Sequence, residues 1–159
     1  MIRLHVNGAV REVAAEPRDS LAHALREGLG LTATRIGCAH GSCGACNVLL
    51  DGEPVRACLI PAPLADGQAV VTLEGLRDDP VMIALRDAFH VEHALQCGYC
   101  TAGMLIAARD LIRRGRARDA AEVRAGLAGQ LCRCTGYDGI VAAILRAALT
   151  PPASAPAPR

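Results

Sequence analysis

The sequence predicts an α+β protein, with a small α+β domain over residues 1–76 and an all-α domain of four helices over 77–150. Three observations carry this. Apolar residues alternate at strand spacing in the first half, interrupted by the hairpin signals Asn7-Gly8 and Asp51-Gly52. After Gly75 the apolar spacing becomes helical. Eight cysteines then divide into two sets of four, one in each half.

Residues 2–6 alternate as a strand, Asn7-Gly8 turns the chain, and 10–14 forms the return strand. Pro17, Asp19 and Ser20 mark a helix start, with Asp19 or Ser20 as N-cap. Leu21, Ala24, Leu25 and Leu29 give that helix an apolar stripe, and Gly28 and Gly30 end it. A cysteine-bearing loop follows. Strands are predicted over 46–50, 55–60 and 69–73, so that Cys58 faces the loop from a strand. In the second half, Asp78-Asp79-Pro80 starts a helix reaching about residue 93, with Pro in the permitted first turn. A second helix ends at Arg114 before Gly115. A third spans 119–127, where Asp119 and Glu122 resemble a capping box. A fourth covers 140–149. The short connections suggest a compact bundle. Residues 151–159 are rich in Pro and Ala and read as a disordered tail.

The bulk composition excludes several functions. The net charge of +1 provides no field for nucleic acid or an anionic membrane. Aromatics make up 2%, without Trp, which removes the stacking surfaces of single-strand binders. No apolar run approaches the ~20 residues of a membrane span. The N-terminus enters a strand pattern directly, without a signal core, so a cytoplasmic location is expected. Eight cysteines in 159 residues fall below the ~8–10% density of disulfide scaffolds. Metal ligation is the better account in a reducing compartment.

Cys38, Cys43 and Cys46 have the C-x4-C-x2-C spacing of plant-type ferredoxins, with Cys58 as a fourth thiol. That set suits one 2Fe–2S cluster and, with the strand pattern, a ferredoxin-like β-grasp. Gly41 and Gly44 permit a tight turn and let backbone N–H groups face the cluster sulfurs. Such hydrogen bonds help set the potential of a centre that is doubly negative when oxidised and triply negative when reduced.

Cys97, Cys100, Cys132 and Cys134 form the second set. Each pair lies just before or at the start of a predicted helix, whose positive N-terminal end favours an anionic centre. Spacing alone leaves two readings, a structural zinc ion and a second cluster, although C-x-C is less usual for zinc.

The surrounding residues narrow this. Gln96-Cys97-Gly98-Tyr99-Cys100-Thr101 and Cys132-Arg133-Cys134-Thr135-Gly136-Tyr137 resemble the second-cluster motifs of the molybdenum hydroxylases, the xanthine dehydrogenase, aldehyde oxidoreductase and carbon monoxide dehydrogenase family. The stretch from Gly37 to Cys58 is similar to the family's first-cluster motif. The resemblance covers about residues 1–150 in the family's order. It implies a 2Fe–2S cluster at Cys38, Cys43, Cys46 and Cys58, and another at Cys97, Cys100, Cys132 and Cys134. It implies a large molybdopterin subunit as partner, with Gln96 and Cys134 approaching the pterin. In three-subunit members the exit is FAD on a medium subunit, so the resemblance implies a heterotrimer in which electrons pass from molybdenum through the helical-domain cluster and the β-grasp cluster to FAD, or else to an external acceptor. Three positions depart from the frequent pattern: Ala102 replaces Pro, Gln130 replaces Asn and Asn47 replaces Thr.

Other residues have plainer readings. His40 reads as a loop or hydrogen-bonding histidine, since four thiolates are already present. His90 and His93 read as packing or surface residues, and Met104 and Leu105 as bundle core. Arg133 tunes the nearby charge or is solvated. Arg109, Arg113, Arg114, Arg116 and Arg118 read as a solvated helix end, with a docking patch as the competing idea. The expected function is an electron-transfer subunit of a multi-subunit oxidoreductase, with no substrate chemistry of its own. The alternatives are a free-standing two-cluster ferredoxin and a zinc module.

Overall fold

The computed structural model describes residues 1–150, so the expectation for the tail lies outside the described residues. Strands β1 (Ile2–Val6) and β2 (Ala9–Val13) pair antiparallel. Asn7 (φ 51°) and Gly8 (φ 82°) both adopt the left-handed conformation that a two-residue hairpin matched to strand twist requires. Ile2, Leu4 and Val6 point inward from β1.

Helix α1 (Leu21–His23) is capped by Ser20, whose Oγ accepts from the His23 N–H at 3.2 Å. It widens into a π-helical turn over Ala24–Gly28. Strands β3 (Asn47–Leu50) and β4 (Glu53–Arg56) form the second hairpin, and β5 (Ala69–Val71) closes the sheet. The order is β2-β1-β5-β3-β4, with β1 and β5 parallel and the other pairings antiparallel. Leu21 and Leu25 pack onto Leu4, Val48 and Val70, which is the β-grasp arrangement of a helix held against a mixed sheet.

Strand β4 stops at Arg56, four residues short of the predicted end. The reason lies outside the strand. The first N–H groups of α1 have no helical partner. The Ile60 carbonyl accepts from Leu21 at 2.7 Å, and the Ala57 carbonyl accepts from Ala22 at 3.1 Å. The chain leaves the ladder to satisfy them. Cys58 therefore sits in a turn, where the Leu59 N–H donates to the Arg56 carbonyl at 2.9 Å, and not on a strand.

After β5, Asn7 grips Thr72: its Oδ1 accepts from the Thr72 N–H at 2.9 Å and its Nδ2 donates to Oγ1 at 3.0 Å. A short 3-10 turn, Leu73–Leu76, leads to four helices. These are α2 (Pro80–Val91), α3 (Thr101–Arg113), α4 (Ala120–Gly126) and α5 (Asp138–Leu149). Asp79 caps α2, accepting from the Met82 N–H at 2.9 Å, with Pro80 in the first turn. Asp119 caps α4, accepting from Glu122 N–H at 2.8 Å. The Glu122 carboxylate accepts from the Arg118 N–H, one residue before the cap, so the capping box is displaced by one position.

Met82, Leu85, Phe89, Met104, Ile106, Ile140 and Ile144 form the core of the bundle. Burying such side chains stabilises the fold by about 1.5–3 kcal/mol each. This core also takes in Leu49 of β3, with Val71 and Leu73 packed against it, so the sheet and the bundle share apolar contacts. Among the described residues, no helix is long and apolar enough to cross a membrane.

The arginine run is not a uniformly solvated helix end. Arg109 is buried and pairs with Asp79, its Nη2 lying 2.6 Å from Oδ2. Arg114 pairs with Asp110 and Glu53, and Arg118 with Glu122. Three of the five charges are thus committed within the chain.

Candidate metal centres

All eight cysteines are free thiols, and they meet two by two. Cys97 and Cys134 approach to 3.4 Å between sulfurs. Cys100 neighbours Cys132, Cys38 neighbours Cys43, and Cys46 neighbours Cys58, each second thiol close enough to shift the ionisation of the first. Among the described residues, no three Cys, His, Asp or Glu side chains converge on one point as a single ion requires. Two pairs of thiols facing one another suit a two-iron core, in which each iron takes two protein ligands. The donor set therefore fits a 2Fe–2S cluster in each half.

The first quartet is built on the 38–46 loop and the turn after β4. Gly41 (φ 85°) and Gly44 (φ 77°) hold the left-handed conformations that curl the loop around its thiols. Backbone N–H groups of His40 and Cys43 reach the Cys38 sulfur, with the Ser42 hydroxyl adding to them. They bring its pKa down to about 5. Donors that lower a thiol pKa also stabilise a ligated thiolate. Burial acts the opposite way on Cys46, pushing its thiol up to about 11. His40 is exposed, in keeping with its reading as a loop residue.

The second quartet joins two loops. Cys97 and Cys100 precede α3, with Cys100 itself as the N-cap residue. Cys132 and Cys134 are separated from α5 by Thr135, Gly136 and Tyr137, so only α3 begins directly at a thiol. Tyr99 N–H and the Cys134 thiol lower the pKa of Cys97. Burial opposes ionisation of Cys132, but the Thr135 hydroxyl and the N–H groups of Cys134 and Thr135 outweigh it. Burial pushes Cys100 up to about 12. Gln96 is exposed and its Nε2 donates to the Cys134 carbonyl at 3.2 Å.

The two centres are neighbours. A cavity of about 270 Å3 is lined by Cys38 and Cys43 of the first quartet together with all four thiols of the second. The Leu131 N–H donates to the Cys43 carbonyl at 2.9 Å, and the Tyr99 hydroxyl donates to the Ile36 carbonyl at 2.9 Å. Sequence reasoning missed three residues that shape this junction. Tyr99 spans it. Tyr137 accepts from the Cys132 N–H at 2.9 Å and donates to the Gln130 carbonyl at 2.8 Å. Arg56 reaches across it from β4. The two tyrosines are the chain's only ones and both lie beside ligand cysteines, a signal that could have singled them out. Arg56 carried no such signal.

Comparison with known proteins agrees with this arrangement. Residues 4–73 match the model of the 2Fe-2S iron-sulfur cluster binding domain, and residues 72–145 match that of a second 2Fe-2S binding domain. The fold and the paired thiols thus define a two-centre iron–sulfur protein. The nicotine 6-hydroxylase small subunit of Paenarthrobacter nicotinovorans is 47% identical over 146 residues, covering 92% of this chain and 88% of that one. The xanthine dehydrogenase iron-sulfur-binding subunit of Escherichia coli O157:H7 is 39% identical over 146 residues, 91% of each chain. The structure of quinoline 2-oxidoreductase from Pseudomonas putida 86 superposes with a TM-score of 0.86 at 49% identity, covering 92% of this chain and 91% of its own. The chain belongs to the small iron–sulfur subunits of the molybdenum hydroxylase family.

Proposed function

We propose that this chain is the electron-transfer subunit of a multi-subunit molybdenum hydroxylase. Cys38, Cys43, Cys46 and Cys58 hold one 2Fe–2S cluster, and Cys97, Cys100, Cys132 and Cys134 hold the other. The observation that carries the reading is the pairwise meeting of eight free thiols in two neighbouring sets. When bound, each cluster supplies a one-electron relay. The protein's own groups supply the rest. N–H donors at Cys38 and Cys97 stabilise the thiolate charge, and Cys46 and Cys100, buried and half-buried, would hold their side of each cluster away from solvent.

The chain divides into a β-grasp domain, 1–76, and a helical domain, 77–150, joined by a shared core. Gln96 and Cys134 are both exposed and hydrogen-bonded to each other, which suits an approach to a pterin on a large partner subunit. A medium subunit carrying FAD is the onward acceptor. Free thiols throughout fit a cytoplasmic location.

Purification from native cells tests this. The expected result is a brown complex with two larger chains, molybdenum, FAD and about four irons per small chain, two for each cluster. Reduction with dithionite should give two distinct EPR signals. A colourless small chain containing zinc overturns the reading, and a lone two-cluster chain makes it a free carrier.

A further inference from the structure

We propose that Arg56 is a positioning residue that clamps the two cysteine loops together and, through its charge, eases reduction of the first cluster. The inference rests on the ligand sets proposed above.

Arg56 ends β4, two residues before Cys58. Its Nε donates to the Gly41 carbonyl at 3.2 Å, inside the first cysteine loop. Its Nη1 donates to Oδ1 of Asn47, the residue after Cys46. Its Nη2 donates to the Gly129 carbonyl at 2.6 Å, three residues before Cys132. One planar fork thus bonds both loops, a geometry that a lysine ammonium cannot reproduce.

Two buried amides complete the clamp. Asn47 Nδ2 donates to the Gly103 carbonyl at 3.1 Å. The Gln130 carbonyl, turned toward Arg56, accepts from Nη1 at 3.1 Å and from Asn47 Nδ2 at 3.0 Å. These are two of the positions at which the chain departs from the frequent family residues. The glycines fit the same purpose. A Cβ on Gly129 would lie 2.6 Å from Arg56 Nη2, and one on Gly44 would lie 2.8 Å from the Gly129 carbonyl oxygen.

The charge is the second half of the inference. None of the ion pairs among the described residues includes Arg56. Its acceptors are neutral carbonyl and amide oxygens. A cation that no carboxylate neutralises favours the more negative, reduced state of a neighbouring centre. The first cluster should feel it more, because Gly41, Asn47 and Arg56 itself all lie within three residues of first-quartet thiols.

The test compares wild type, Arg56→Gln and Arg56→Lys in the assembled complex. Redox titration followed by EPR reads the potential of each cluster, and hydrogen exchange reads protection of the Leu131 amide, which bonds to Cys43. In R56Q we expect the ratio of reduced to oxidised first cluster at a fixed potential to fall about tenfold, or about 59 mV for one electron. A smaller fall is expected at the second cluster. R56K should keep most of the potential and still lose Leu131 protection, because it retains the charge without the fork. Unchanged first-cluster potential in R56Q overturns the proposal, as does a loss in R56K equal to that in R56Q. If R56Q fails to assemble, unchanged Leu131 protection in R56K overturns it. A wild type without two cluster signals overturns the underlying ligand assignment instead, so the two failures are distinguishable.

Discussion

Gly103, in the first turn of α3, packs directly onto the carbonyl oxygen of Gly44 in the first cysteine loop; a Cβ at Gly103 would overlap that oxygen and lie 3.0 Å from the Ala45 Cα. Two opposing effects meet in Gly103→Ala. Alanine favours the helix by about 1 kcal/mol over glycine. Overpacking against a backbone that cannot rotate away costs about 1–3 kcal/mol. The second effect should win, because the obstructing atoms are backbone atoms of Gly44 and Ala45 and not the end of a flexible side chain. Thermal unfolding followed by circular dichroism should show a lower midpoint for G103A. An equal or higher midpoint would show that the junction can open without cost.

Asp79 links helix capping to a buried ion pair. Burial opposes its ionisation, but Arg109, with the Met82 N–H, outweighs burial and holds its carboxyl below the ordinary value. Asp79→Asn keeps a competent N-cap and removes only the charge. It leaves Arg109, whose side chain is 10% exposed, without its anion, at a cost of about 3 kcal/mol at neutral pH. A carboxyl with a depressed folded pKa contributes stability that is complete above the unfolded value of about 4 and lost as pH falls through the folded value. Denaturant unfolding of both proteins should therefore show a constant gap from pH 7 to about 5 that narrows below about 4. A gap independent of pH would remove the ion pair as its cause.

Features specified by residues close in sequence were legible before the structure. The Asn7-Gly8 hairpin, the helix starts at Asp19-Ser20 and Asp78-Asp79-Pro80, and the four bundle helices all follow from short-range chemistry. The exceptions depend on distant partners. β4 ends early because Ala57 and Ile60 supply carbonyls to a helix start more than thirty residues away. Arg109 is buried because Asp79 lies thirty positions earlier. The Arg56 clamp joins three segments, Gly41, Asn47 and Gly129, that nothing in the local pattern connects. In the site itself, the identity of the thiols was readable, whereas the residues that hold one quartet beside the other were not.

Removing the clusters should expose unequal thiols. Donors from His40 and Cys43 hold Cys38 down to about 5, so at pH 7 it is almost wholly thiolate. Burial raises Cys46 to about 11 and Cys100 to about 12, so both remain protonated. The thiolate is the reacting form. Brief iodoacetamide treatment of chelator-stripped protein at pH 7, mapped by peptide mass spectrometry, should label Cys38 first and Cys46 and Cys100 last. Lowering the pH to 6 should hardly slow Cys38. Equal labelling of Cys38 and Cys100 would mean that the N–H donors do not hold their positions without iron.

Tyr137 offers a way to loosen one quartet without touching a ligand. Its hydroxyl closes the 130–137 loop, accepting from the Cys132 N–H and donating to the Gln130 carbonyl, while its backbone takes φ 74°. Tyr137→Phe keeps the ring and the backbone conformation but leaves a partly buried donor and acceptor without partners, at a cost of about 1–3 kcal/mol. The loss falls on the loop that carries Cys132 and Cys134. The Cys38–Cys46 loop has no hydrogen bond to this hydroxyl. In a chelator challenge of the purified complex, Y137F should lose one EPR signal severalfold faster than wild type and the other at an unchanged rate. If both signals decay together, the 130–137 loop must support both quartets, and the hydroxyl is then a general strut of the junction and not a local one.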